Sequence, residues 1–342
     1  MLWPSSRTSC CATRIACSKP MEKAVNQATL PPKLPPAFER KVEVRGFLQW
    51  INAPERRGAL LVTPALATLF LINILPLLWS FGLSFFNYRA NRLTAPKFQG
   101  LENYTDLLGD DRVWERFVTT GLIVSSSVAL QLLIGFGLAL LFAKKFPMRR
   151  LALMFVLTPM MLSFVSVAIF FKLFYDPTLG MLSWFISLFT GESFALLATP
   201  AGAIAGIVIA DAWMWSPFVM LLVLAGLVSV PGYLYEAAEI DRAPSWKRFR
   251  TITFPYVKSL LLLALLFRTI ETFKTFDLVF LITEGGPGST TETIAIYAYR
   301  LGFQFFRTSE ASALAYMILF VVIVLTSIYL YVVKQRNASE GV

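Results

Sequence analysis

The sequence predicts an all-α integral membrane protein with six transmembrane helices, and three observations carry that prediction. Of its 342 residues 56% are hydrophobic and only 15% charged, with a mean hydropathy of +0.63. An ordinary soluble domain is about 45–50% apolar and about 25% charged, so a water-soluble globule of this make-up would have nowhere to put its surplus apolar surface. Second, six apolar runs reach the roughly 20 residues that a helix needs to cross a hydrocarbon core of about 30 Å. They fall at about 59–86, 117–143, 151–174, 201–229, 259–283 and 311–333. Third, lysine and arginine segregate between alternate connections: twenty-one lie in the N-terminal segment, the second-to-third and fourth-to-fifth loops and the tail, against seven in the other three loops. Basic residues are retained on the cytoplasmic side, so both termini are expected there.

Residues 1–58 are polar, basic and proline-bearing ("LPPKLPP"), without a sustained period. The first twenty lack the apolar core of a secretory signal. They are expected to be disordered or to precede the true start, since Met21, followed by "EKAVNQ", is an equally good initiator. The first span carries Asn73 and Pro76; proline inside a membrane helix kinks it and frees a carbonyl for neighbours to satisfy. Gln131 in the second span and Asn73 read as helix–helix glue more than as ligand contacts. The first-to-second connection is long enough for an extracytoplasmic cap but too short for an independent domain. The third-to-fourth connection, about 175–200, has no lysine or arginine, and its "MLSWFISLF" is apolar all round. That run fits a short helix along the outer interface, or equally a loop with a buried patch. Residues 334–342 form a short cytoplasmic tail.

Several function classes are excluded or weakened. Cys10, Cys11 and Cys17 all precede the apolar body and form neither a metal-spaced set nor a disulfide framework. The absence of histidine removes Ser-His-Asp and Cys-His catalysis and His-ligated metals. No GxxxxGK[ST] loop occurs, so nucleotide hydrolysis belongs on another chain. The net charge of +10 is accounted for by basic loops beside a bilayer and needs no nucleic acid. A membrane enzyme such as a glycosyltransferase would need a supported acidic pair, and Asp110-Asp111 stands alone. A secondary transporter would show internal repeats, and none is convincing.

Residues 233–259, "YLYEAAEIDRAPSWKRFRTITFPYVKS", interrupt this apolar chain with five basic residues. Pro231 blocks continuation of the fourth span and Gly232 loosens the chain after it. Residues 233–242 favour helix. "APS" then interrupts, and Ser245 is placed to N-cap a second short helix. There Trp246, Phe249 and Ile252 recur at i, i+3 and i+6, and Pro255 is expected to end it. Two short helices joined by a tight turn should project into the cytoplasm, with aromatic and charged residues mixed as in an interface core. The competing reading is a hairpin resting on anionic headgroups.

"EAAEIDRAPSWKRFRTITFP" resembles the EAA signature of binding-protein-dependent ABC importer permeases, roughly E-A-A-x-x-D-G-A-x6-F-x-x-I-x-L-P. Glu236, Ala237, Ala238, Asp241, Ala243, Ile252 and Pro255 match in register, and Phe249 fits a more variable position. Arg242 replaces the motif's glycine and Phe254 its leucine. Residues 276–303, with "TEGGPG", resemble the sugar-permease branch of the maltose- and glycerol-phosphate-transporter type, and "FQGLENYTDLLGD" is similar to its F-x-G-L-x-N-Y segment. The resemblance covers about residues 55–336. It implies a type I ABC importer permease of the bacterial inner membrane, paired with a second permease. Two ATPase subunits would bind ATP and magnesium, this chain holding no cofactor, and an extracytoplasmic binding protein would deliver a sugar-like solute. It further implies that the EAA helix docks in a cleft of an ATPase, where Glu236 meets a basic group. Glu236, Ala237, Ala238, Asp241, Arg242, Trp246 and Phe249 would then couple ATP-driven closure to the spans. If the glycine supplies a positive φ, Arg242 must bear a cost or reshape the turn.

The spans themselves contain polar residues. Arg268, Glu271, Lys274 and Asp277 are spaced by three with alternating sign. Charges at such depth nearly always face a cavity or a partner. The first three either line a translocation path or form an ion-pair ladder between neighbours three apart; a structural role suits Asp277. In the fourth span Asp211, Trp213 and Trp215 offer a carboxylate and stacking surfaces for a sugar ring, or an interfacial aromatic belt. "GGPG", Gly285 to Gly288, has the chemistry of an extracytoplasmic turn.

Overall fold

The computed structural model describes residues 54–92, 95–144 and 146–339. The expectations for residues 1–53, including the three cysteines and the start at Met21, lie outside these. The chain divides into two compact units, residues 1–69 and 70–342. In the first, the described helix is α1 (Pro54–Leu69), with Pro64 inside it and the Thr68 hydroxyl donating to the Pro64 carbonyl at 2.8 Å. In the second, a π-helical turn, Phe70–Ile74, leads into α2 (Leu75–Leu83), with Pro76 in its first turn. A proline ring needs room beside the carbonyl four residues back, and the wider π register supplies it. By length and composition Val62–Leu83 qualifies as the first crossing.

A two-stranded antiparallel ladder, β1 (Phe86–Asn87) and β2 (Lys97–Phe98), and helix α3 (Glu102–Gly109) follow. Asp110 then caps α4 (Asp111–Ala143), its carboxylate accepting from the Arg112 backbone N–H. The hydrogen bond from the Arg112 guanidinium, aided by this backbone bond, holds the Asp110 carboxyl below its usual range. The helix starts six residues before the predicted span because Arg112, Glu115 and Arg116 make its first turns polar. The next apolar run is two helices, α5 (Arg149–Met161) and α6 (Phe164–Phe174), bent by 98°. The apolar run predicted as the third span, 151–174, is thus broken in the middle. Pro159 weakens the end of α5, and Ser163 in extended conformation caps α6 by accepting from the Ser166 N–H.

Beyond the bend lie α7 (Met181–Thr190) and α8 (Pro200–Ser229). The "MLSWFISLF" run is therefore helical, with Ser183 buried and Trp184 and Phe189 exposed. Thr199 caps α8 through its hydroxyl, and Pro200 occupies the first turn, where a missing N–H costs nothing. Apolar all round, α8 is the most enclosed helix, as such a pattern requires. Its pairing with α4 fixes the topology. Ile123 clusters with Ile207, Gln131 bonds Asp211, and Gly135 abuts Ser216 and Val219. Partner numbers rise together, so the two helices run parallel. Chain between them must return to the end where α4 began, and the bent pair α5–α6 thus completes one crossing. Among the described residues, five unbroken candidate spans plus this pair give six.

Short helix α9 (Gly232–Ile240) leads to α10 (Ser245–Arg248), a π turn (Phe249–Thr253) and α11 (Phe254–Phe273). The fifth apolar run is therefore displaced from the predicted 259–283. It is continuous from Ser245 to Phe273 and breaks before α12 (Asp277–Thr283). After a loop come α13 (Ile294–Tyr299), a π turn (Arg300–Gln304) and α14 (Thr308–Ser339). Helix α14 runs antiparallel to α2: Ser312 bonds Ser80, and Ser309 meets Tyr88. It also packs on α11, where the Tyr329 hydroxyl donates to the Leu262 carbonyl.

The α4–α8 contact depends on one glycine. A Cβ at Gly135 would stand 2.6 Å from the Val219 Cβ and 2.7 Å from the Ser216 carbonyl oxygen, whereas one at Gly137 meets nothing within 4 Å. Close backbone approach through small residues is the usual means of packing membrane helices. Gly135→Ala should therefore lower thermal stability in detergent by about 1–3 kcal/mol, the overpacking range. Gly137→Ala should leave it unchanged or slightly raised; equal effects at both positions would contradict this packing.

Candidate functional site

Helix α9 begins directly after Pro231, which ends the α8 connection in extended conformation. Its far end closes in a Schellman turn: the Ala243 N–H reaches the Ala238 carbonyl at 2.9 Å and the Arg242 N–H the Glu239 carbonyl at 3.0 Å. This geometry needs a left-handed residue, and Arg242 supplies it at φ +51°. An arginine there costs about 1 kcal/mol relative to glycine. The turn keeps its form and Arg242 bears the strain.

Two sequence expectations for the second arm are corrected. Pro244, not Ser245, occupies the cap position; Ser245 is the first helical residue and makes no side-chain cap bond. Nor does Pro255 end the helix. The π turn lets the Phe254 N–H bond the Phe249 carbonyl, and Pro255 enters α11 in its first turn. The second arm is thus an extension of the fifth span, and the Tyr235 hydroxyl ties the first arm to it through Thr253 at 3.0 Å. Ile240 is 84% and Trp246 69% exposed. Glu236, Ala237, Asp241 and Arg242 share the exposed surface, while Ala238 is half-buried. Phe249 instead turns inward, stacked on Trp246 at 5.6 Å and edging Phe136.

Within the bundle three helices meet in a polar knot. Arg268 Nε donates to Gln131 Oε1 at 2.7 Å, and Gln131 Nε2 donates to Asp211 Oδ2 at 2.6 Å. Arg268 also reaches Asp211 Oδ1 at 3.4 Å and the Thr272 hydroxyl at 3.1 Å, and its guanidinium lies over the Trp215 ring at 4.4 Å. Asp211 and Arg268 are each 2% exposed. Gln131, whose amide both accepts and donates, bridges the charges. The partner of Arg268 is therefore on another helix, while Glu271 pairs with Lys274 at 3.0 Å on the exposed end of α11. Asp277 is exposed at the start of α12. Of the two tryptophans, Trp215 meets Asp211 through Arg268 and packs also on Phe164 and Phe218, whereas Trp213 packs on Phe170 and Phe171.

A second knot gathers residues that the sequence reading missed. Glu292, 4% exposed, accepts from Arg116 Nε at 2.7 Å and from Arg300 Nη1 at 2.6 Å. Arg300 also donates to the Glu284 carbonyl at 2.7 Å, closing the turn that carries Gly285 to Gly288. Gly285 stands at φ +90°, and a Cβ on it would meet Arg300 Nη2 at 3.3 Å and Glu292 Cβ at 3.4 Å. Positive φ and close approach both require glycine there. The overlooked signal was a stripe on α4: Arg116, Thr120, Ser127, Gln131 and Gly135 recur at helical spacing, and all are buried. Among the described residues no cluster of acidic, cysteine or histidine side chains suits a metal ion.

Residues 131–338 match the family described as binding-protein-dependent transport system inner membrane component. A sulfoquinovosyl glycerol transport system permease protein of Agrobacterium fabrum is 33% identical over 85% of this chain and 95% of its own length. A trehalose/maltose transport system permease protein of Thermococcus litoralis is 32% identical over 82% and 94%. The solved structure of a bacterial ABC transporter involved in the import of the acidic polysaccharide alginate shares the fold, with a TM-score of 0.72 and 20% identity. It covers 85% of this chain and 99% of that one.

Proposed function

This chain belongs to the binding-protein-dependent transport system inner membrane components, and we propose that it is one permease subunit of an ATP-driven importer for a sugar or sugar-like solute. It is a transport subunit and not an enzyme. The names of its relatives, which transport sulfoquinovosyl glycerol, trehalose, maltose and lactose, favour a carbohydrate-type cargo. An extracytoplasmic binding protein delivers that cargo, and a second permease completes the pathway. Two ATPase subunits supply the hydrolysis that this chain lacks.

The observation that carries the coupling role is the hairpin at residues 232–253. It presents Ile240 and Trp246 to solvent among charges, and its second arm is continuous with α11. An ATPase cleft that closes over this surface moves a rigid lever seated in the bundle, and the spans rock as bodies between inward-open and outward-open states. Of the substrate-path candidates, the Glu271 and Lys274 side chains are exposed and, among the described residues, hold only each other, so a solute hydroxyl can displace that bond. Asp211 and Arg268, with Trp215 on the guanidinium, are committed to helix packing. Trp213 is 40% exposed and remains available for ring stacking. The lysine and arginine distribution favours both termini and the hairpin on the cytoplasmic side.

Glu236→Lys tests the docking surface. Glu236 is exposed and touches none of the buried bonds, so insertion and stability should be normal. Uptake in reconstituted vesicles should fall to background and ATPase association should weaken. Unchanged uptake would refute docking through this helix.

A further inference from the structure

We propose that Arg242 is a partner-selecting contact: its guanidinium pairs with a carboxylate on the rim of the ATPase cleft that receives the hairpin. The proposal rests on the docking reading given above and adds the chemistry of the partner surface. Three observations support it. Arg242 is exposed at the outermost turn of the hairpin, between Ile240 and Trp246, which stand 84% and 69% exposed. It occupies a left-handed position at φ +51°, where a side chain is disfavoured and glycine would relax the turn. An outlier retained at an exposed functional turn argues for a use of the side chain. Third, among the described residues Arg242 makes no ion pair or side-chain hydrogen bond, although Glu236, Glu239 and Asp241 lie on the same short segment.

The turn explains why those neighbours do not capture it. Backbone bonds from Arg242 to Glu239 and from Ala243 to Ala238 fix the left-handed residue as the reversal point of the chain. A reversal point fixed in this way leaves the Arg242 side chain exposed to solvent. An arginine so placed meets the partner before the apolar residues behind it can seat. Its planar fork suits a carboxylate, two parallel N–H donors matching two oxygens. Charge at an interface rim steers encounter and rejects wrong partners. A permease with this turn should therefore prefer an ATPase whose cleft rim is acidic at the facing position.

The test uses the assembled transporter, with ATPase retention on the tagged permease measured across a salt series. Arg242→Gly should keep or raise the thermal stability of the permease, because the turn relaxes. It should nevertheless retain ATPase about tenfold less well at low salt, the scale of one charge-assisted contact, and its retention should respond less to added salt. Arg242→Glu should bind more weakly still, and a rim carboxylate changed to arginine on the ATPase should restore it. If Arg242→Gly holds the ATPase as well as the unaltered chain while Ile240→Asp releases it, docking stands and the Arg242 pairing is overturned. If neither variant changes retention, the docking reading itself falls. Loss of association with anionic vesicles, with ATPase retention intact, would overturn the pairing and assign the charge to lipid headgroups.

Discussion

Arg268→Ala is expected to remove most of the folded protein from the membrane. The guanidinium is fully enclosed, and its removal leaves Asp211 without its counter-charge, held by the neutral Gln131 amide, and orphans Gln131 Oε1 in the same stroke. Breaking one side of a buried ion pair typically costs about 3–5 kcal/mol, because the remaining charge has lost both water and partner. That is a large fraction of the 5–15 kcal/mol by which domains are stable. The measurement is thermal unfolding of the purified subunit in detergent, with the amount of inserted protein as a second readout. Arg268→Met combined with Asp211→Leu removes both charges together and should be much milder than either single change, since apolar replacement of a whole buried pair is often neutral. Glu271→Ala breaks an exposed pair and should shift stability by no more than about 0.5 kcal/mol. Equal losses from Arg268→Ala and Glu271→Ala would sink the distinction between a packing knot and a solute-accessible pair.

The contrast between these two residues shows what the sequence could reveal. Arg268, Glu271, Lys274 and Asp277 are evenly spaced in the chain, and local periodicity offers either a ladder or a path. Which it is depends on helices 57 and 137 residues away, where Asp211 and Gln131 are found. No local pattern carries that information. The six crossings and the two-armed hairpin were legible because bilayer thickness and proline act locally. The bend at Pro159 and Ser163 was not, since apolar residues run through both halves and the window reads them as one. At Pro255 the usual rule that proline ends a helix failed for a definable reason: a π turn absorbs it. The left-handed demand on residue 242 was legible only as a condition, and the Schellman bonds supply the reason for it.

Glu292→Ala should be the other severe substitution, and it probes a region remote from the hairpin. A single carboxylate serves two arginines: Arg116 in the first turns of α4 and Arg300 at the end of α13. The surrounding bonds make the knot a joint between elements. Thr120 accepts from the Ile294 N–H, and Arg300 holds the Glu284 carbonyl at the entrance to the glycine turn. With the carboxylate gone, two guanidinium groups are left beside one another, and the buried one, that of Arg116, keeps a longer contact at 3.4 Å to the exposed Glu115. Poorly compensated burial and like-charge repulsion act in the same direction, giving an expected loss of about 3 kcal/mol. Glu292→Gln separates the two contributions. Its amide oxygen can still accept one bond, but it neutralises neither cation, so its loss should fall between wild type and Glu292→Ala. Adding Arg300→Met to Glu292→Gln lowers the excess positive charge and should recover part of that stability. No recovery would mean that the knot acts through the shape of the carboxylate rather than its charge. Recovery would make Glu292 the electrostatic joint through which α4, α13 and the glycine turn hold one geometry, as Arg268 does for α4, α8 and α11.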